Sequence, residues 1–136
     1  DGLHQIAGSK NVVELHGSIH RNYCEKCAKL YSLEEILNMS NVPYCTKCGG
    51  LIKPDVVLYG EPLNELVMTK AIIALQEADL LIVAGTSLKV YPAASLIDYF
   101  YGDNIVIINK EKLEVHRKIK LQINKSIAEV FKEIDE

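Results

Sequence analysis

The chain has 136 residues, 49% of them hydrophobic and 24% charged, which is enough for a packed core and ordinary for a globular protein. A net charge of −3, from 15 basic and 18 acidic residues, lacks the basic excess of a general nucleic-acid binder. No apolar run approaches the roughly 20 residues that span a bilayer, and the longest, Leu80 to Gly85, has strand length.

In chain order, Val12-Val13-Glu14-Leu15 predicts a short strand that ends at His16-Gly17. Residues 20–53 contain every cysteine and one predicted helix. Ser32 is its N-cap, and Glu35, three residues on, completes a capping box. From Pro54 onward, strands and helices alternate. Val56-Val57-Leu58 is an apolar run that stops at Tyr59-Gly60-Glu61, and Leu63 to Glu77 has helical periodicity. Leu80 to Ala84 is apolar at every residue and stops at Gly85-Thr86-Ser87. Pro92 opens a helix through Phe100. Ile105 to Ile108 forms a strand that stops at Asn109. A weaker strand is expected over 119–123, and Ser126 caps a last helix through Ile134. Runs apolar on every residue predict strands buried on both faces, as in a parallel sheet covered by helices. The expected class is α/β, a doubly wound parallel layer that the cysteine module interrupts as an insertion.

The four cysteines form a single pattern: Cys24-x2-Cys27, seventeen residues, Cys45-x2-Cys48. Each pair sits on a tight turn that aims two sulfurs at one centre, and this is the spacing of a structural zinc site. Two disulfides would need an oxidising compartment, and the chain shows no secretory signal. A thioredoxin-like dithiol would explain one pair and leave the other. Four protein ligands leave no open coordination position, so other residues must carry any chemistry. An intracellular, cytoplasmic setting is the expectation.

In open α/β sheets, ligands bind beyond the carboxyl ends of the strands. Gly85-Thr86-Ser87 has the composition of a phosphate contact, and equally that of a plain turn whose hydroxyls cap backbone. Asn109 could meet a ribose or simply make a turn. His16 is the best candidate for acid–base work because imidazole exchanges its proton near neutral pH. A packed core histidine or a metal ligand are the alternatives. Tyr59 and Leu58 would wall a site beside His16 if the two strand ends are neighbours, or else serve as core packing.

Taken together, DGLHQIAG (1–8), VELHG (13–17), the two cysteine pairs, KPDVVLYGE (53–61), AGTSLKVYPAA (84–94) and IINKE (107–111) resemble the sirtuins, NAD-dependent protein lysine deacylases. The likeness runs in order over nearly the whole chain. It implies a Rossmann-like NAD-binding portion over 1–19 and 54–136, incomplete here, with a small zinc-ribbon module over 20–53. It implies that acyl-lysine attacks C1′ of the nicotinamide ribose and expels nicotinamide. His16 then acts as general base on a ribose hydroxyl, and the products are deacylated lysine and O-acyl-ADP-ribose. Asp1, Gly85, Thr86, Ser87, Asn109, Lys110, Glu111 and Ser126 match cofactor-contacting positions. Val57, Leu58 and Tyr59 match the acyl-lysine channel. Gly60, Glu61, Lys89, Val90 and Tyr91 match strands that clasp a substrate peptide. An acyl-lysine protein or peptide is the implied partner, with no direct nucleic-acid or membrane contact.

The family's glycine-rich cofactor loop, the Asp-Phe-Arg segment after it, and the Gln-Asn pair preceding Asp1 have no counterpart. The chain therefore reads as the C-terminal portion of a catalytic domain, and these residues alone are expected to be inactive. A zinc-ribbon binding module without catalysis, or a dinucleotide oxidoreductase, are the competing classes. Over residues 20–53, five basic against three acidic side chains give +2, too slight to argue for nucleic-acid contact.

Overall fold

The computed structural model describes residues 2–134. It divides into two compact units, Asp1–Val67 and Met68–Glu136.

The first unit opens on a one-turn helix, α1 (Leu3–Ile6). Its sheet has strands β1 (Gly17–Cys24), β2 (Leu30–Ser32) and β3 (Ile52–Val56), all antiparallel in the order β2-β1-β3. Helix α2 (Leu33–Leu37) follows β2, and its start is the expected capping box. The Ser32 hydroxyl accepts from Glu35 N at 3.2 Å and the Glu35 carboxylate accepts from Ser32 N at 2.7 Å. The core of this unit is Cys24, Tyr31, Cys45 and Ile52, with Cys27, Ile36, Met39 and Cys48 packed against it. The cysteines are thus half of the packing material and not an appendage to it.

Two strands lie elsewhere than the sequence predicts. Residues 12–14 are irregular, and Leu15-His16 form a turn closed by Gly17 N to Glu14 O at 3.0 Å. The alternation at 12–15 buries nothing: Val13 is exposed, and Glu14 is turned aside by an ion pair with Arg21 at 2.6 Å. The sheet begins only at Gly17, so His16 precedes a strand and does not end one. Of the apolar run 56–58 only Val56 is in a strand: it ends β3, which starts at Ile52 and runs through Pro54, and Val57 and Leu58 are irregular. Proline is tolerated there because the register slips between Ser18 and Asn22, opposite Pro54 and Asp55.

Helix α3 (Glu65–Glu77) carries the chain into the second unit. Asn64 caps it, with Oδ1 accepting from Leu66 N at 2.9 Å and Val67 N at 3.2 Å. Strands β4 (Leu81–Ala84), β5 (Ile105–Ile108) and β6 (Leu121–Ile123) form a parallel sheet in that order. Helix α4 (Ile127–Ile134) closes the unit. The fold is the mixed α/β arrangement with a parallel sheet that the sequence predicts. Ile97, Phe100 and Ile105 centre its core, with Leu75, Leu81, Val83, Val115 and Ile119 around them.

Burial departs from expectation on one strand. In β5, Ile105, Ile107 and Ile108 are buried, as an all-apolar run requires. In β4 only alternate residues turn inward, and Ile82 is exposed.

The helix expected after Pro92 is present, as a 3-10 helix (Ala93–Tyr99). Its end is held from outside the helix. The Arg117 guanidinium donates to Ile97 O at 3.0 Å, Phe100 O at 2.9 Å and Gly102 O at 3.4 Å. One cation therefore gathers three carbonyls at and just beyond the helix end, of which Ile97 O also accepts from Phe100 N at 3.4 Å. Arg117→Ala is expected to lower the stability of the second unit by about 2 kcal/mol, read in urea unfolding. Lysine should not restore it, since one ammonium lacks the planar fork that spans three carbonyls.

Candidate functional site

The cysteine pairs come together as their spacing predicts. The Sγ atoms of Cys24, Cys27, Cys45 and Cys48 all lie within 4.8 Å of one another. Cys24 and Cys48 are 3.5 Å apart, and Cys27 and Cys45 are 3.6 Å apart. A tetrahedron with Zn–S bonds near 2.3 Å has edges of about 3.8 Å, so the cluster is of zinc size. None of the four forms a disulfide. Two turns shape the cluster, closed by Ala28 N to Cys24 O and Gly49 N to Cys45 O, both at 2.9 Å. The Tyr31 hydroxyl above all, and the backbone N–H groups of Lys47 and Cys48, draw the Cys45 pKa well below the ordinary thiol range, against burial. The residues fit a zinc ion held by four sulfurs. Such a site fastens the fold and leaves no position for substrate.

His16 is exposed and takes no part in the sulfur cluster, so neither alternative role fits it. Its carbonyl accepts from Val57 N at 3.0 Å, and Gly17 pairs with Val56. The turn that carries the imidazole is therefore stitched to the segment that begins Val57-Leu58-Tyr59. Arg21 steadies the same turn from β1, binding Glu14 at 2.6 Å on one side and Asp55 of β3 at 2.8 Å on the other. The Arg21 guanidinium holds the Glu14 carboxyl below its usual range.

Leu58 and Tyr59 are not core residues: Tyr59 is 99% exposed. Gly60 and Glu61 lie in a turn, closed by Glu61 N to Leu58 O at 3.0 Å, where the resemblance suggested a strand. The Glu61 carboxylate accepts from Leu58 N at 3.0 Å and pairs with Lys53. Those two partners, Leu58 N first, hold its pKa below the ordinary carboxylate range. In the second unit, Lys89, Val90 and Tyr91 are also irregular and not a strand, with Val90 and Tyr91 exposed.

The second unit brings three separate segments to one open cleft of about 370 Å³. Gly85, Thr86 and Ser87 come from the end of β4, Asn109, Lys110 and Glu111 from the end of β5, and Ser126 from the start of α4. All of these were predicted from the sequence. Asp1, the remaining predicted cofactor position, lies outside the described residues. Gly85 sits at φ +61, a conformation that favours glycine, and a Cβ there would meet only the tip of the Ile127 side chain, Cδ1 at 2.6 Å. The bland turn roles are present as well. Thr86 Oγ1 accepts from Leu88 N at 3.1 Å, and Asn109 Nδ2 donates to Glu111 O at 2.9 Å. Ser126 begins α4 with a reciprocal cap, its N donating to Glu129 at 2.9 Å and its hydroxyl accepting from Glu129 N at 3.3 Å.

Sequence reasoning missed Lys125 and Ile127, which also line the cleft. Their signal was adjacency to Ser126. Lys110 and Lys125 bring cations to the cleft beside a helix start, with the Glu111 carboxylate also lining it and Lys125 paired with Glu133 at 2.8 Å.

A model described as the Sir2 family matches residues 1–92. The NAD-dependent protein deacetylase of Clostridium perfringens (strain 13 / Type A) is 57% identical over 132 residues, 96% of this chain and 54% of that protein. A solved structure of Sir2 bound to acetylated peptide superposes with a TM-score of 0.90 at 38% identity, covering 98% of this chain and 58% of that one. A second, of Sir2 with the inhibitor EX-527, 2'-O-acetyl-ADP-ribose and deacetylated p53 peptide, gives 0.89 at 38% identity over 98% and 59%. The chain thus spans about half the length of the curated relatives it matches.

Proposed function

The chain belongs to the Sir2 family, and on that premise we propose that it supplies the catalytic histidine, the zinc module and much of the NAD-binding surface of an NAD-dependent protein lysine deacylase. The observation that carries this reading is the convergence of 85–87, 109–111 and 126 on one cleft. These segments are far apart in sequence, and each was expected to meet the cofactor.

NAD, when bound, provides an electrophilic ribose carbon and a leaving group, nicotinamide. The chain's own part is to bind, orient and move a proton. Backbone and hydroxyl groups at Gly85, Thr86 and Ser87 would face phosphate and ribose, with Lys110 and Lys125 adding charge. Asn109, Glu111 and Ser126 would hold the adenosine end. His16 would accept a ribose hydroxyl proton as general base, its exposed ring free to do so. Val57, Leu58 and Tyr59 would form the acyl-lysine channel. Gly60, Glu61, Lys89, Val90 and Tyr91 are the proposed peptide-contacting positions. The structures of relatives with acetylated and deacetylated peptides and with 2'-O-acetyl-ADP-ribose support this choice of substrate and product.

In this reading residues 1–19 and 54–136 are the nucleotide-binding portion, and residues 20–53 the zinc module. No helix among the described residues is long and apolar enough to cross a membrane. An intracellular site, the cytoplasm, suits four free thiols that must stay reduced to hold metal.

The test supplies NAD and an acetyl-lysine peptide to these residues carried in a protein as long as the relatives of which they span about half. Nicotinamide release should appear and fall by at least about a hundredfold in His16→Ala. Release unaffected by the substitution would overturn the role of His16. Reduction of NAD without release would overturn the reaction class.

A further inference from the structure

The metal cluster has a hydrogen-bonded neighbour that the four ligands do not account for. Tyr31 is buried at 3% exposure, with its hydroxyl 3.2 Å from Cys45 Sγ. The same oxygen accepts from Thr46 N at 2.9 Å and lies 3.1 Å from Thr46 Oγ1. Thr46 Oγ1 in turn accepts from the Lys29 ammonium at 2.9 Å, and that ammonium also lies 4.6 Å above the Tyr31 ring.

Proton accounting assigns the directions. An ammonium can only donate, so Thr46 Oγ1 accepts from Lys29 and its own proton is free for Tyr31. The Tyr31 oxygen then accepts twice from Thr46, and its single proton has one acceptor left, the Cys45 sulfur. Among the described residues, no other sulfur of the cluster receives a side-chain hydroxyl.

We propose that Lys29, Thr46 and Tyr31 form a relay that delivers one charge-assisted hydrogen bond to the Cys45 thiolate and so positions it on the metal. The inference rests on the four-cysteine zinc reading. Four thiolates around a divalent ion carry two excess negative charges, and the relay draws some of that charge off one sulfur toward an ammonium. Tyr31 is a positioning residue: it acts on the metal through Cys45.

The test loads the chain with zinc and follows its transfer to a chromogenic chelator. Tyr31→Phe keeps the ring and removes the donor, and it should weaken zinc retention by about tenfold or more. Thr46→Val and Lys29→Met interrupt the relay further out, in side chains that the core does not need, and should give smaller losses in the same direction. Lys26→Met removes a charge beside the cluster that is not in the relay and should match the wild type. A cobalt-loaded sample supplies a readout that packing alone would not move. Loss of the hydrogen bond should shift the thiolate-to-cobalt charge-transfer band to lower energy in Tyr31→Phe, and no shift is expected in Lys26→Met. Equal retention and an unmoved band in Tyr31→Phe, or equal losses in Lys29→Met and Lys26→Met, would overturn the relay. A wild-type chain that takes up no zinc would overturn the metal reading beneath it.

Discussion

Chelation of the bound metal should unfold the cysteine module and leave the parallel sheet standing. The core of the first unit is Cys24, Tyr31, Cys45 and Ile52, backed by two further cysteines, so removing the ion removes the bond that joins half of that core. A module of this size buries too little apolar surface to hold without a staple. Structural zinc contributes on the order of 10 kcal/mol or more to such a fold. The second unit draws its core from Ile97, Phe100 and Ile105 and has no stake in the metal. Hydrogen exchange would separate the two. The amides that close the module, Cys24 N to Lys29 O, Glu25 N to Leu51 O and Cys45 N to Gly50 O, should lose protection on chelation. Those of β5 should keep it. Cys24→Ala should reproduce the effect with metal present. Retained protection in the module after verified metal loss would mean that packing alone holds it.

Gly17→Ala is the second change expected to be severe. A methyl group at Gly17 would lie 1.9 Å from Asp55 O, where β3 backbone cannot yield, and the residue sits at φ +74 besides. Backbone clash and conformational strain add, so a loss of about 4 kcal/mol or more is expected. The damage falls on the turn that presents His16, because Gly17 N closes that turn and the next pairing is Gly17 with Val56. Gly60→Ala is the fitting control. Gly60 also has positive φ, but open space surrounds the added methyl. It should cost only about 1 kcal/mol. Urea unfolding of both variants checks the comparison. Equal costs would show that the approach of β1 to β3 relaxes more freely than its geometry indicates.

Some of this fold was legible in the sequence because the signals were local. Cys24, Cys27, Cys45 and Cys48 announce one centre through spacing alone, and the sulfurs do converge. Ser32 with Glu35, and Ser126 at the last helix, name helix starts that the structure places at Leu33 and Ile127. Strand β5 is apolar because it is buried, and its composition says so.

The misreadings arise where a distant partner decides. The stretch 12–15 alternates like a strand, yet Arg21 claims Glu14 and Gly17 takes the first pairing. Pro54 looks like a boundary, yet a register slip in β1 lets it stand within β3. Leu80 to Ala84 is as apolar as β5, but half of it faces outward. Arg117 gives no sign of its three carbonyl partners, which come from residues 15 to 20 positions earlier. Among the site residues, the cleft segments were legible from the family pattern, while Lys125 and Ile127 were marked only by their adjacency to Ser126.

Four sulfurs that serve as both ligands and core have a consequence for how robust the first unit is. Its stability is not a fixed property of the polypeptide but a function of free zinc activity. Above the dissociation constant, each tenfold rise in zinc adds about 1.4 kcal/mol, and each tenfold fall removes as much. Two preparations of identical sequence can therefore melt at different temperatures solely because their buffers differ in trace metal.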